Sequence, residues 1–242
     1  MSLVLHCGGK PATLEQIRAI ETPPRTATYT PVPYADLIDL VRFELEDHLG
    51  LEIYNEAYGT NRDGAQMFGV ISCRTHDDHG LAYGLRSSHD RSISVAGSVG
   101  DKVFVCDNMA FTSSGTVVMR QHRGDAFAAF KRMLRKQMST ALVTHERLAD
   151  DFDALQKLEI TQDRGYELIG RAIGHDVLKP VQANIAIRDW QSPRHEVATF
   201  QERTMYALYQ CFTEGLKKGP AGTVIDRHAA AHQFFMQNTP RA

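Results

Sequence analysis

The stretch 85-LRSSHDRSISVAGSVGDKVFVCDNMAF-111 decides how the rest of the chain is interpreted. A dense polar group at residues 86–91 precedes a two-strand pattern that ends in a second polar group, residues 106–108. Runs that alternate with a period of two are typical of half-buried β-strands. Polar groups at this density belong at a sheet rim or in a site, because a buried polar group without a partner costs about 1–3 kcal/mol. The stretch therefore predicts strands with a polar rim.

Turn signals recur on both sides of this stretch, throughout residues 51–122. The predicted strands are 51–58, 67–74, 81–86, 93–99, 102–106 and 116–120. The connections between them are too short for the crossover helices that a parallel sheet needs. We predict an antiparallel meander of five or six strands, with a tight hairpin turn at Gly100-Asp101.

Helical spacing replaces the period of two outside the meander. Residues 34–49 form the first predicted helix, and Gly50 stands where a helix would end. A second helical pattern runs from about residue 124 to 155, which gives one helix about 45 Å long. That helix is longer than the sheet it would cover, so part of it is expected to project or break.

The pattern of the rest of the chain predicts helices. Predicted elements are 163–172, a segment interrupted by Pro180, 193–218 and 224–235. The predicted fold class is α+β: an antiparallel β-meander flanked by an N-terminal helix and a long helix, with a helical C-terminal part.

Three regions follow from these patterns. Residues 1–33 hold many prolines and glycines and are predicted to form an extended arm with a helical turn at 14–20. The arm would lie on its own domain or, in an oligomer, on a neighbouring copy. Residues 34–160 form the predicted α+β core, and residues 161–242 form a helical region packed on it.

Composition excludes several classes of protein. The chain has 242 residues, a net charge of −2 and a pI near 6.6, so only a local patch could attract nucleic acid or an anionic membrane. No apolar run approaches the roughly 18 residues that span a bilayer. Four widely spaced cysteines, no Cys-x-x-Cys pair and no secretory signal at the N-terminus predict a cytoplasmic protein. The four are Cys7, Cys73, Cys106 and Cys211.

A local basic patch does exist around residues 120–136, with Asp125 as its single acid. The cations are Arg120, Arg123, Lys131, Arg132, Arg135 and Lys136. Residues 131, 132, 135 and 136 share one helix face, and Arg86 and Arg91 are predicted to lie nearby. Such a surface suits a phosphate backbone. The alternative is a solvated face that pairs with acids such as Asp150, Asp151 and Asp153.

Catalytic and metal signals are weak. The turn 76–79 (His-Asp-Asp-His) cannot converge on one ion, and the pair His228 and His232 is better explained as helix surface. No phosphate loop or dinucleotide fingerprint is present, so no cofactor is predicted. His89, Asp90 and Cys106 remain the catalytic candidates. A simpler role for Ser88 and Asp90 is to bind backbone groups at a hairpin end.

Several short motifs resemble one family. They are Ser88-His89-Asp90, Cys106-Asp107-Asn108, Arg62-Asp63-Gly64 before Met67-Phe68-Gly69, and Tyr206-Ala207-Leu208-Tyr209 with Thr213. Together they resemble the domain-of-unknown-function family 932, the phage/plasmid-like proteins. That family often has Asn-Ser where this chain has Ser87-Ser88, and a small polar residue at Asp107. The resemblance implies a mobile-element setting, with the host-cell cytoplasm as location, and no established activity.

The sequence supports three hypotheses about function. The order of helix, meander and basic long helix resembles phage single-strand annealing proteins of the Redβ and RecT type. We therefore hypothesise a homo-oligomer that binds single-stranded DNA and promotes annealing. One alternative is an enzyme acting on a small molecule or a nucleic acid through the His89, Asp90 and Cys106 region. The other alternative is a protein that binds a host protein such as a defence factor.

Overall fold

The structure, a computed structural model, describes residues 10–75, 79–103, 109–111, 117–194, 196, 198–220 and 223–240. Its side chains at 79, 101–103, 109–111, 117, 118 and 224 are not described. The fold is α+β, with one antiparallel sheet and a helical C-terminal part. The predicted fold class is therefore confirmed.

The sheet is a meander. Its strands are β1 (Lys10–Ala12), β2 (Ile53–Asn61), β3 (Gln66–Cys73), β4 (His79–Ser88), β5 (Val95–Val103), β6 (Met109–Phe111) and β7 (Val117–Arg120). Every strand pair is antiparallel, and β1 to β5 lie in sequence order. Both β6 and β7 pair with the outer edge of β5, at different ends of it. Seven strand segments of the described chain thus occupy six positions, in agreement with the predicted five or six strands.

The predicted hairpin turn at Gly100-Asp101 was wrong. Strand β5 runs straight through both residues, which pair with Ala82 and Leu81 of β4. A Gly-Asp pair makes a hairpin only when its two flanking strands pair with each other. Here both flanks of the pair lie against the same long partner, so the sequence stays extended.

The helices are α1 (Leu14–Arg18), α2 (Tyr34–Phe43), α3 (Ala126–Met138), α4 (Ala141–Gln156), α5 (Gln162–Gly174), α6 (Pro180–Gln191), α7 (Ala198–Gln201), α8 (Met205–Leu216) and α9 (Val224–Asn238). Helix α2 continues into one π-helical turn, Glu44–His48. Single π-helical turns often occur at functional positions in proteins.

The single long helix predicted for residues 124–155 is two helices, α3 and α4. The chain breaks at Ser139 and Thr140, whose hydroxyls donate to the carbonyls of Lys136 (2.8 Å) and Gln137 (3.1 Å). Hydroxyl side chains that bond to preceding carbonyls compete with helix continuation. The break lets α3 cover the sheet while α4 joins the C-terminal helices.

The C-terminal helices also differ in their boundaries from the prediction. Pro180 begins α6 rather than interrupting a helix, because proline suits the first helical turn. The predicted helix 193–218 is divided into α7 and α8. Between them the backbone amide of Ile160 donates to Arg203 (2.8 Å), and that of Met205 donates to Leu158 (2.9 Å). These non-local hydrogen bonds hold residues 203–205 out of a continuous helix.

Two hydrophobic clusters hold the fold together. One joins a face of the sheet to α1, α2 and α3, and the other joins α4 to the remaining C-terminal helices around the fully buried Trp190. Ile17, Tyr29 and Val32 are buried, so residues 10–33 pack on their own chain. Among the described residues no helix has both the length and the apolar character needed to cross a membrane.

Candidate nucleic-acid interface and polar turn

Helix α3 presents four cations on one face, which we term the α3 basic face: Lys131, Arg132, Arg135 and Lys136. The helix buries its opposite side, Ala126, Phe130, Leu134, Gln137 and Met138, so helical geometry turns the four cations outward. Its 13 residues include no acid. The nearest acid, Asp125, caps the helix and accepts a hydrogen bond from the amide of Ala128 at 3.2 Å. The helix therefore has a positive, outward-facing surface.

One member of the α3 basic face has a partner. Arg135 Nε lies 3.0 Å from Oε1 of Glu44, a carboxylate that is only 1% exposed, while the Arg135 side chain itself is 56% exposed. Within the described residues, Lys131, Arg132 and Lys136 form no ion pair. The predicted alternative, pairing with Asp150, Asp151 and Asp153, is likewise not observed there. Three cations of the face thus remain accessible to an anionic ligand.

Arg86, predicted to join the basic surface, lies elsewhere. Arg86 is only 6% exposed, and its Nη1 lies 3.0 Å from Oδ2 of Asp226 in α9. The side chain points to the sheet face opposite the α2 and α3 layer, since Leu85 and Tyr83, its alternating neighbours, belong to that layer's cluster. Arg86 therefore ties the sheet to the C-terminal helix and is not available to a ligand. Arg120 is exposed at the end of β7.

The polar turn after β4 has the structural role predicted for it. The hydroxyl of Ser88 accepts from the amide of Ile93 (3.1 Å) and donates to its carbonyl (2.9 Å). Asp90 accepts from the amide of Ser92 (2.9 Å) and pairs with Arg62 (3.1 Å). These contacts close the β4–β5 connection.

His89 is held by packing. Its ring is stacked on Tyr34 at 3.8 Å between centroids and 5° between planes, and Nε2 lies 3.2 Å from the carbonyl oxygen of Val32. Burial lowers the pKa of His89 below its usual value. The ring is engaged by the first residue of α2 and by the segment just before it. Cys106 and Asn108, the other motif residues, lie outside the described residues.

A cleft forms where the β4–β5 turn meets the connection between β7 and α3. Val95 pairs with Arg120 in antiparallel register, so the residues before β5 and those after β7 are brought to the same end of the sheet. The cleft has a volume of about 260 Å³ and is lined by Thr28, Tyr29, Arg91, Ser92, Ile93, Ser94, Gln121, His122 and Arg123. It unites two predicted cations, Arg91 and Arg123. Sequence reasoning missed Tyr29 and His122, which no local motif marks.

His228 and His232 are not on a helix surface, contrary to the prediction. They are 0% and 4% exposed, and Nε2 of His232 lies 3.1 Å from Oδ2 of Asp151. The ring of His232 also lies edge-on to Phe152 and Tyr209, each at 6.4 Å. Across the described residues no group of three His, Cys, Asp or Glu side chains converges as metal ligands would. The His228 and His232 pair therefore belongs to the packing of α9.

Two cysteines, Cys73 and Cys211, are buried in surroundings that keep their thiols protonated. Burial raises the pKa of the Cys73 thiol to about 12 and raises that of Cys211 as well. Residues 76–78 of the His-Asp-Asp-His turn lie outside the described residues.

Comparison with known proteins identifies the family. The fold and the polar turn define an α+β protein with a meander sheet and a basic helix beside it. The chain belongs to the family described as "domain of unknown function (DUF932)", which matches residues 24–236. The match confirms the resemblance drawn from the sequence. No curated protein and no solved structure matches the chain.

Proposed function

We propose that this protein binds single-stranded DNA through the α3 basic face. The observation that carries the proposal is the outward set of Lys131, Arg132 and Lys136, which have no acidic partner among the described residues, on a helix without acids. Each phosphate that such a surface neutralises releases condensed counterions, and this release drives binding. Because the net charge of the whole chain is −2, the attraction comes from this local set of cations and not from the overall charge.

The aromatic residues of α3 favour contact with the backbone rather than with the bases. Phe130 is fully buried and Phe127 is half-buried against the sheet cluster, so neither offers a fully exposed ring for base stacking. Bases bound in this way would stay free to pair with a second strand. We therefore extend the proposal to annealing by a homo-oligomer in the cytoplasm of a cell that carries a mobile element.

The enzyme hypothesis has less support. His89 is engaged by Tyr34 and Val32, and Asp90 is engaged by Ser92 and Arg62. General acid–base catalysis needs a side chain within reach of substrate and free to exchange a proton. The contacts around His89 and Asp90 are instead those of a rigid turn.

The test is binding of a fluorescently labelled single strand, followed by anisotropy at low salt, with duplex of the same sequence in parallel. The variant Arg132→Glu/Lys136→Glu reverses two unpaired charges, and we expect it to lose at least about tenfold in affinity. Solution mass should show a multimer that forms or grows on the strand. Equal affinity of variant and wild type would contradict the proposal.

A matched control separates the α3 basic face from net charge. Arg188→Glu/Lys218→Glu makes the same change in charge at two exposed residues of the C-terminal helical part, and neither residue has an ion pair within the described chain. We expect this variant to bind like the wild type apart from a small general effect of charge. If this variant lost as much affinity as the α3 variant, the effect would be explained by net charge and not by the α3 basic face.

A further inference from the structure

The cleft beside α3 has the composition of an anion site. Arg91 and Arg123 enter it from two separate segments, and both are exposed and without an acid partner in the part of the chain that the structure describes. The nearest acid to Arg91 in sequence is Asp90, whose oxygens are taken by Arg62 and Ser92. Thr28 and Ser94 add hydroxyl donors to the wall. The cleft therefore offers donors and positive charge, and the residues that line it include no carboxylate.

Arg91 is held in place before any ligand arrives. Its guanidinium carbon lies 4.4 Å from the ring centroid of the buried Tyr29, and Tyr29 in turn donates a hydrogen bond to the carbonyl of His89 at 2.9 Å. The backbone of Arg91 has φ +65°, a left-handed conformation that side-chain-bearing residues rarely adopt. Such conformations persist where the surroundings enforce them, and they cluster at ligand sites. Fixing an arginine in this way lowers the entropic cost of binding.

His122 supplies a second, independent observation. The residue lines the cleft yet is only 6% exposed, and main-chain groups of Ile93 and Thr30 lie next to its ring without a hydrogen bond of good geometry to either nitrogen. Buried ring nitrogens without a well-aligned hydrogen bond are uncommon in folded proteins. A ring in this position gains favourable charge interaction if an anion sits beside it and the ring takes up a proton.

We propose that this cleft binds a phosphomonoester, with Arg91 and Arg123 as the direct ligands of the phosphate oxygens. Guanidinium groups match phosphate oxygens in a two-point geometry, and two of them neutralise its double negative charge. A volume of about 260 Å³ suits a phosphate with a small substituent rather than a large apolar ligand. The phosphate could belong to a mononucleotide or to the end of a nucleic-acid strand. The site does not depend on the α3 basic face.

Isothermal titration with inorganic phosphate and with a nucleoside 5′-monophosphate tests the site, with the unphosphorylated nucleoside as reference. We expect saturable binding of both phosphates, and loss of at least about tenfold in Arg91→Gln and in Arg123→Gln, since each removes a charged hydrogen-bonding partner. Arg120→Gln, an exposed arginine that does not line the cleft, should bind like the wild type. No saturable binding by the wild type, or equal binding by the Arg91 and Arg123 variants, overturns the proposal.

Strands with and without a 5′-phosphate distinguish the two sources. If the site binds strand ends, the strand with a 5′-phosphate should bind more tightly than the strand without one, and Arg123→Gln should abolish that difference. If the site binds mononucleotides, the two strands should bind equally while the nucleoside monophosphate still binds. Arg132→Glu/Lys136→Glu should lose strand binding while keeping phosphate binding. Failure of the cleft and failure of the α3 basic face are therefore separable.

The role of His122 is tested by the pH dependence of sulfate binding. Sulfate is used because it does not titrate in this pH range. Burial, followed by the neighbouring His89, lowers the pKa of His122, while main-chain groups of Ile93 and Thr30 raise it. Tyr29, Arg91 and Arg123 line the cleft with this ring, and the carboxylate of Asp90 is hydrogen-bonded to Ser92 of the cleft wall. A neutral ring that gains a proton with the anion predicts sulfate affinity that rises as pH falls from about 8 to 6. A His122→Asn variant should flatten that dependence, and an unchanged pH profile would refute this role.

Discussion

The backbone amide of Thr30 donates a hydrogen bond of 3.0 Å to the carbonyl oxygen of His122. This bond joins the N-terminal segment to the connection between the sheet and α3, across more than ninety residues of sequence. Tyr29 lies beside it, with its ring 5.7 Å from that of His122. The segment predicted as an arm thus forms one wall of the cleft that holds Arg91 and Arg123.

The pairing of Glu44 with Arg135 predicts a stability effect that differs between two arginines of one helix. Arg135→Glu places a second carboxylate next to the buried Glu44, and we expect it to lower the free energy of unfolding by about 1–3 kcal/mol. Urea denaturation followed by circular dichroism measures the change. Arg132→Glu, with no partner among the described residues, should change stability by no more than about 0.5 kcal/mol.

This difference matters for tests of binding. A loss of strand binding in an Arg135 variant could come from the fold, whereas Arg132 and Lys136 report on the surface. Equal destabilisation by the Arg132 and Arg135 substitutions would contradict the assigned role of Glu44.

Two glycines of α5 are expected to respond to alanine in opposite directions. A Cβ on Gly165 would lie 2.2 Å from Nε1 of Trp190, which donates to the carbonyl of Gln162 at 3.1 Å. Gly165→Ala should therefore displace the ring, cost about 1–3 kcal/mol and shift the emission of the single tryptophan to longer wavelength. Fluorescence and thermal denaturation measure both effects.

Gly170 is the matched control. It is exposed on the same helix, and no atom lies within 4 Å of its added Cβ. Gly170→Ala should stabilise the protein by about 0.5–1 kcal/mol with unchanged emission, because alanine loses less conformational freedom in a helix. Destabilisation by Gly170→Ala, or none by Gly165→Ala, would contradict the described packing of Trp190 on α5.

Asp90 should make stability depend on pH in the acid range. Burial acts to raise the pKa of Asp90, but hydrogen bonds from Ser92 and Arg62 offset it, and the pKa lies below its usual value. A depressed folded-state pKa stabilises the fold above the unfolded pKa, and this contribution is lost as the pH falls through the folded value. Asp90→Asn should therefore be less stable than wild type near neutral pH, by about 0.5–1.5 kcal/mol.

The difference between Asp90→Asn and wild type should shrink once the pH falls below about 4. Urea unfolding at a series of pH values measures it, with Asp47→Asn as an exposed aspartate control that should show no such convergence. A gap that is constant down to the acid limit would show that the charge of Asp90 does not contribute to closing the turn.

Local patterns predicted much of this structure. The helical spacing of Phe130 and Leu134 correctly placed Lys131, Arg132, Arg135 and Lys136 on the outer side of α3, and short-range chemistry predicted that Ser88 and Asp90 would bind the turn backbone. Both depend on residues a few positions apart. Such relationships follow from the period of the element and from side-chain reach.

The predictions that failed depend on distant partners. Gly100-Asp101 has the local sequence of a hairpin turn, but pairing with β4 keeps it extended. Arg86 has the local sequence of a surface cation, but it is buried against Asp226, which is 140 positions away in the sequence. The buried His232 meets Asp151 only after α4 and α9 pack. No local pattern encodes these pairings, so a single sequence could not supply them.

The salt dependence of single-strand binding tests the central claim most directly. With three unpaired cations on the α3 basic face, the logarithm of the binding constant should fall against the logarithm of salt concentration with a slope of about −2, at about 0.7 per contacted phosphate. Arg132→Gln/Lys136→Gln should make that slope shallower by about 1.4. Binding that is absent at low salt, or a slope unchanged in the variant, would contradict the assignment of the α3 basic face as a nucleic-acid interface.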